Sequence, residues 1–276
     1  MRKLAIALTV LAAAALAPAP AAAQASPCHA FVQKNPYVRV IRAGVKRANQ
    51  PRQVAIRFVG HATFRIRTPD GVVIATDYAG RAGPGPVPDV VTMNHAHHTH
   101  YTTSPDSRID HVLRGWNPAG DGPAKHDLTV RDVRIRNVPT DIRGPGNSVE
   151  PDGNSIFVFE VADLCIVHLG HLHHELSDRD RALVGRVDVV FAPVDGIYTL
   201  SLAEMTDVLE GLRASLVLPM HVFSGRSLRR FLAGTRETFT VRMAETSPIT
   251  VSRRSLPREP TILVPKRMAR SSDPSR

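Results

Sequence analysis

The sequence predicts an α/β domain built on two β-sheets covered by helices, and three observations lead there. Strand-length apolar runs separated by turn residues fill the chain up to about residue 170, whereas from about residue 188 strands and an amphipathic helix alternate. Three of the apolar runs, DVVTM, LCIV and ASLVLPM, are each followed by histidine at the C-terminal end. The length, 276 residues, exceeds the usual single domain but suits one large two-sheet architecture.

The first element is a leader. MRKLAIALTVLAAAALAPAPAAAQ has two basic residues, an apolar stretch too short for a membrane span, and small residues around Ala21 and Ala23. It reads as a signal peptide, residues 1–23, and Pro27 immediately before Cys28 argues against a lipid anchor. A periplasmic or secreted protein is therefore expected, with a body over residues 24–250 and a solvated basic tail over 251–276. The net charge of +10 does not indicate a nucleic-acid partner. Arg2 and Lys3 sit in the leader, seven basic and two acidic residues follow from Val251 onward, and no basic stripe interleaved with aromatics crosses the body. Export permits Cys28 and Cys165 to pair, while Cys165 within an apolar run suits a buried small side chain equally well.

VAIRFVGHATFRIRTPDGVVIATD, residues 54–77, alternates around a PDG turn and reads as a β-hairpin or meander. RAGPGPVPD is a loop by composition, and DVVTM a short buried strand. SPDSRIDHVLRG, residues 104–115, begins Ser-Pro and carries helical spacing. LTVRDVRIRNV, residues 128–138, alternates like a half-exposed strand. SIFVFEV and LCIVHLG are neighbouring strands around the Ala162–Asp163 break. DVVFAPVDG is a strand, SLAEMTDVLEGLR an amphipathic helix opened by a Ser201-x-x-Glu204 capping box, and ASLVLPMH and TFTVRMAE are further strands.

Histidine is concentrated where chemistry would be. NHAHHTH, residues 94–100, and HLGHLHH, residues 168–174, hold eight of the 13 histidines. His95 and His97 project to one side of an extended backbone, and His100 can return to them once the loop turns. Zinc needs three or four nitrogen, sulfur or oxygen donors near tetrahedral geometry, so two local imidazoles and a distant one suffice. His168 and His221, at two other strand ends, are the distant candidates.

GHATFRI, the ATD ending at Asp77, the His95 cluster, HLGHLHH, APVDGIYT and LPMH together resemble the metallo-β-lactamase superfamily, in the branch containing L-ascorbate-6-phosphate lactonase-like metal-dependent hydrolases. The resemblance implies a four-layered αβ/βα sandwich of two mixed sheets flanked by helices. It implies metal ligands among His95, His97, His100, His168, His171 and His221, with Asp77 supporting a ligand ring. Two positions depart from the family pattern. Thr99 stands where the family has a metal-binding aspartate, and His171 where it has a metal-bridging one. Two dications need anionic neutralisation, so one zinc on His95, His97 and His168 is expected, although iron or copper also suits imidazole.

These residues imply a hydrolase acting on a small-molecule ester, lactone, amide or phosphoester through metal-bound hydroxide, with His171 or His100 shuttling protons. The alternative is a non-hydrolytic periplasmic metal- or ligand-binding protein on the same fold. His61 suits either the site rim or a bonded strand end; Tyr198 and Thr199 border the site in the family. His98, His173 and His174 suit the loop or rim, His29, His111 and His126 the surface or core, and Trp116 loop packing.

Overall fold

Alternating apolar residues and turn chemistry lay down the first sheet. In the computed structural model, residues 26–29 and 52–268 are described, apart from 145, 147 and 267, so the leader expected at 1–23 lies outside them. β1 (Val54–Gly60) and β2 (Thr63–Arg67) pair antiparallel, and the chain turns at Pro69–Gly71 into β3 (Val73–Ala75). β4 (Val90–Met93) and β5 (His111–Arg114) follow, each parallel to its predecessor. The helix expected at 104–115 is not formed; its last residues are β5. Ile109, Val112 and Leu113 imitate helical spacing, but a ladder offered by the β4 edge outweighs so short a local pattern.

β6 (Asp127–Val130) and β7 (Val133–Arg143) divide the single strand expected at 128–138 into a hairpin at Arg131 and Asp132. Asp132 stabilises that turn from outside, accepting from the Thr68 hydroxyl at 2.6 Å and Arg52 at 2.8 Å. β8 (Val149–Val161) and β9 (Leu164–His168) are the expected neighbours, joined through Ala162 and Asp163, both left-handed at φ 53° and 63°.

The βα portion contains α1 (Asp178–Val184), β10 (Val189–Pro193), α2 (Leu202–Leu212), β11 (Leu216–Met220) and α3 (Gly225–Gly234). The Ser201–Glu204 capping box opens α2 as expected; a second box, Ser177 with Asp180, opens α1. β12 (Thr240–Met243), β13 (Ile249–Val251) and β14 (Thr261–Val264) complete the chain. Residues 261–264 were expected within a solvated tail, yet β14 lies between β12 and β11 with Ile262 and Val264 fully buried. The charges that suggested a tail flank a buried TILV.

One sheet has the order β13-β1-β2-β3-β4-β5, the other β12-β14-β11-β10-β9-β8-β7-β6. Between them lies a core containing Ile56, Phe64, Ile66, Phe157, Phe159, Phe191 and Leu218, in which the Phe64 and Phe191 rings stack at 4.1 Å. The outer face of the eight-stranded sheet packs on α1, α2 and α3 through Val184, Met205, Leu209, Leu228 and Phe231. The outer face of the six-stranded sheet is covered by loop residues such as Tyr78, Ile109 and Trp116, with no helix there among the described residues. A Cys28–Cys165 disulfide fastens residues 26–29 to β9, and Arg186 N–H donates to the Cys28 carbonyl at 2.8 Å. Pairing is thus the outcome for the two cysteines.

Candidate metal centre

Six segments bring chemistry to one edge of the sandwich, each from the C-terminal end of a strand: His61 after β1, Asp77 after β3, His95 to His100 after β4, His168 to His173 at the end of β9, Asp195 after β10, and His221 after β11. This is where open α/β architectures place ligands, because successive strands end there without covering one another. At β1 the register with β2 slips between Phe58 and Gly60, a bulge that re-aims the following residue. His61, Asp77 and His221 all adopt left-handed backbone, φ 51°, 41° and 56°, a conformation disfavoured for residues with a Cβ. Three such residues in one cluster mark it as a place where the fold tolerates strain for geometry.

His61, His97, His100 and His221 offer four nitrogen atoms that all lie within 4.8 Å of one another. His100 and His221 are fully buried, and the Nε2 of each has no hydrogen-bond partner. Leaving a buried polar atom unpaired costs roughly 1–3 kcal/mol, so two that point into one cluster indicate a missing group. On the other side of each ring stands a carboxylate. Asp77 Oδ2 lies 2.6 Å from His100 Nδ1, and Asp195 Oδ2 2.9 Å from His221 Nδ1. A carboxylate there holds the proton on Nδ1 and turns the Nε2 lone pair inward, as a metal requires. The donor set therefore fits a metal ion.

The carboxylates are themselves fixed. Asn94 donates to Asp77 Oδ1 at 2.8 Å and accepts from Ser155 N–H at 2.7 Å. Gly170 permits that packing, since a Cβ there would overlap the amides of Asn94 and Asn154. Burial raises the Asp77 carboxyl, against the lowering influence of His168 and Asn94. Asp195 accepts backbone N–H groups from Ile197, Tyr198 and Thr199 and the Thr199 hydroxyl. Burial alone would raise it too, but hydrogen bonds from His221 and Thr199 prevail and hold it well below the usual carboxylate range. An asparagine at 195 presents an N–H to His221 and reverses its tautomer. Asp195→Asn is accordingly expected to weaken metal binding 10- to 100-fold, measured by competition with a chromophoric chelator; unchanged affinity would remove Asp195 from this role.

Three residues expected among the ligands, His95, His168 and His171, stand outside the four-histidine group. His95 is part-exposed, with its ring stacked on Trp116 at 4.9 Å and Nδ1 2.5 Å from Glu150. His168 is fully buried, but both nitrogens serve the backbone: Nε2 donates to the Ala62 carbonyl at 2.8 Å and Nδ1 accepts from Gly170 N–H at 3.0 Å. A ring committed in this way has no lone pair for a metal. Of the expected set His95, His97 and His168, only His97 is in the cluster. His61, weighed as rim or strand end, is a member, and Asp195 was not anticipated.

His171 borders the cluster through a chain of rings. Arg143 N–H donates to His173 Nδ1 at 2.8 Å, and His173 Nε2 contacts His171 Nδ1. His171 Nε2 lies 3.2 Å from His97 Nε2, His97 Nδ1 2.7 Å from the Thr99 hydroxyl, and that hydroxyl 2.9 Å from His61 Nε2. Burial pushes His173 down to about 4 and His61 to about 3, and lowers His97 and His171, so the rings are neutral at pH 7. The backbone donor places hydrogen on His173 Nε2 and so on His171 Nε2, which faces His97 as a donor; a metal ion on the cluster would take the place of the His171 and Thr99 contacts of His97 and His61. Thr99, in the family's aspartate position, links two imidazoles instead of supplying charge.

The depressed imidazoles make the metal-free protein acid-sensitive. Between the ordinary histidine value of 6.5 and about 3, the unfolded chain binds more protons than the folded one, so stability rises with pH across that window and is lost as pH falls through it. His97, His100 and His171 act in the same sense; the raised Asp77 and Asp152 carboxyls oppose them. Calorimetry of chelated protein should show Tm falling steadily from pH 7 to pH 4, and a flat Tm would contradict this account.

A family model described as a beta-lactamase superfamily domain matches residues 55–221, more than half of the chain and the whole span from β1 to His221. The chain belongs to this superfamily. A solved superfamily structure from Thermotoga maritima, assigned as a Zn-dependent hydrolase, is 26% identical, with a TM-score of 0.56 over 77% of this chain and 98% of that one. A UPF0173 metal-dependent hydrolase from Pyrococcus horikoshii is 25% identical over 61% of this chain and 84% of its own length. A UPF0173 protein from Pyrococcus abyssi is 26% identical over 64% and 88%. The two-sheet sandwich is thus the superfamily's fold, and all four clustered histidines, from His61 to His221, fall within the matched region.

Proposed function

We propose that the chain is an exported metal-dependent hydrolase that holds one zinc ion on three imidazoles of the His61, His97, His100 and His221 cluster, His100 and His221 among them, with the fourth position open to water, and cleaves an ester, lactone, amide or phosphoester. The observation that carries this reading is the pair of buried, unpartnered Nε2 atoms on His100 and His221, each backed by a carboxylate. The relatives described as metal-dependent or Zn-dependent hydrolases support it. Charge supports a single ion, because Asp77 and Asp195 together balance one dication and the imidazoles are neutral. When bound, such an ion would supply Lewis acidity and lower the pKa of a water in its open position toward neutrality. The Cys28–Cys165 disulfide supports export, since such bonds persist in oxidising compartments.

His171 takes a different role from the proton shuttle expected of it. Its Nδ1 already accepts from His173 and its Nε2 already carries hydrogen, so it has no free site for a proton. It is a neutral donor aimed at the cluster, suited to stabilising charge that develops on a substrate oxygen. His171→Ala should lower kcat about 100-fold, with His171→Gln, which retains an N–H, recovering part of the loss.

The test is elemental analysis of protein purified without added metal or chelator, combined with assays on ester, lactone and phosphodiester panels. About one zinc per chain, with hydrolysis abolished by chelation and restored by zinc, is expected. Protein that takes up no metal on titration sinks the proposal. Metal binding without turnover on any panel favours a binding protein on the same fold.

A further inference from the structure

The described residues include six large hydrophobic side chains that are strongly exposed, and three of them, Ile197, Tyr198 and Phe223, belong to two loops at the histidine cluster. The Phe223 ring lies 4.8 Å from His221 and 5.4 Å from His61, and Tyr198 meets Phe223 edge-on at 5.3 Å. Exposed apolar groups gathered at one spot cost solubility and mark places where something docks. Here the spot adjoins two of the four clustered imidazoles.

The wall is held rigidly. Asp195 accepts the backbone N–H groups of Ile197 and Tyr198 while its other oxygen orients His221, so one carboxylate fixes both the ring and the apolar wall beside it. Gly196, left-handed at φ +72°, lets the loop close against Leu202, which a Cβ would strike.

Building on the hydrolase reading, we propose that Phe223, Tyr198 and Ile197 form a subsite for the non-reacting part of the substrate, an alkyl or aryl chain next to an ester or lactone. The scissile group reaches the cluster and the chain lies across the Phe223 and Tyr198 rings.

The experiment has two arms. Calorimetric binding of 1-octanol and 1-butanol to the purified protein reads the subsite without turnover, and 4-nitrophenyl acetate and octanoate read selectivity. Octanol should bind at least about tenfold more tightly than butanol, as four methylenes partly removed from water imply. Phe223→Ser, at an exposed position, should erase most of that ratio and reduce the preference for octanoate over acetate about tenfold. Equal binding of the two alcohols, or a ratio unchanged in Phe223→Ser, overturns the proposal even if esters are cleaved. Chain-length-dependent binding with no ester cleaved supports the subsite and removes the hydrolase reading on which its substrate assignment rests.

Discussion

Protein carrying His221→Ala is expected to fold, to bind zinc at least 100-fold more weakly than the parent, and to hydrolyse nothing that the parent hydrolyses. His221 contributes one of the two buried Nε2 atoms with no other partner, so its loss removes a ligand that nothing nearby replaces. The fold should tolerate the change. Asp195 retains three backbone donors and the Thr199 hydroxyl, so no buried carboxylate is left bare. Removing a left-handed non-glycine residue other than by glycine leaves the local strain much as it was. A chelator competition titration with circular dichroism on the same sample separates ligand loss from unfolding. Native-like metal affinity in a folded variant would show that the centre lies elsewhere. His61→Asn offers a companion measurement, because asparagine tolerates the left-handed backbone while the imidazole is lost.

Breaking the Cys28–Cys165 bond should cost about 4–5 kcal/mol of stability, by the chain-entropy account for a loop spanning 137 residues. For a chain of this size that is a Tm lower by roughly 10–20 °C. The bond holds residues 26–29 against β9 and α1, where Ser26 donates to Glu160 at 2.6 Å and the His29 ring meets the Leu183 carbonyl at 2.7 Å. Both sulfurs are buried, so Cys28→Ala with Cys165→Ala removes the link without leaving an exposed thiol. Scanning calorimetry of that variant against oxidised and reduced parent is the measurement. A difference below about 1 kcal/mol would mean that contacts along residues 26–29 suffice without the covalent link.

The centre was legible in part. GHAT, ATD, the His95 cluster, HLGH and LPMH located the strand ends that converge, because apolar runs followed by polar punctuation survive in any tertiary setting. His97, His100 and His221 were legible as members of the histidine cluster for the same reason. His95 and His168 were misplaced because ligand spacing describes where a ring can point. Only the fold shows that His168 has both nitrogens taken by Ala62 and Gly170, and that His95 turns to Glu150 and Trp116. Asp195 had a signal in the PVDG that follows its strand, yet its partner lies 26 residues away and only the parallel pairing of β10 with β11 brings them together.

The sequence by itself determined the order of most elements, the α2 capping box, the superfamily resemblance and the presence of a histidine-rich strand edge, since these depend on local periodicity and composition. Tertiary structure decided which imidazoles keep a free lone pair, that β5 is a strand rather than a helix, and that TILV enters a sheet rather than a solvated tail. Those outcomes depend on hydrogen-bond partners and sheet edges supplied from distant parts of the chain. Spacing along a sequence does not record whether a ring's nitrogens are held by backbone groups, as those of His168 are, or face other side chains of the cluster, as those of His97 and His61 do.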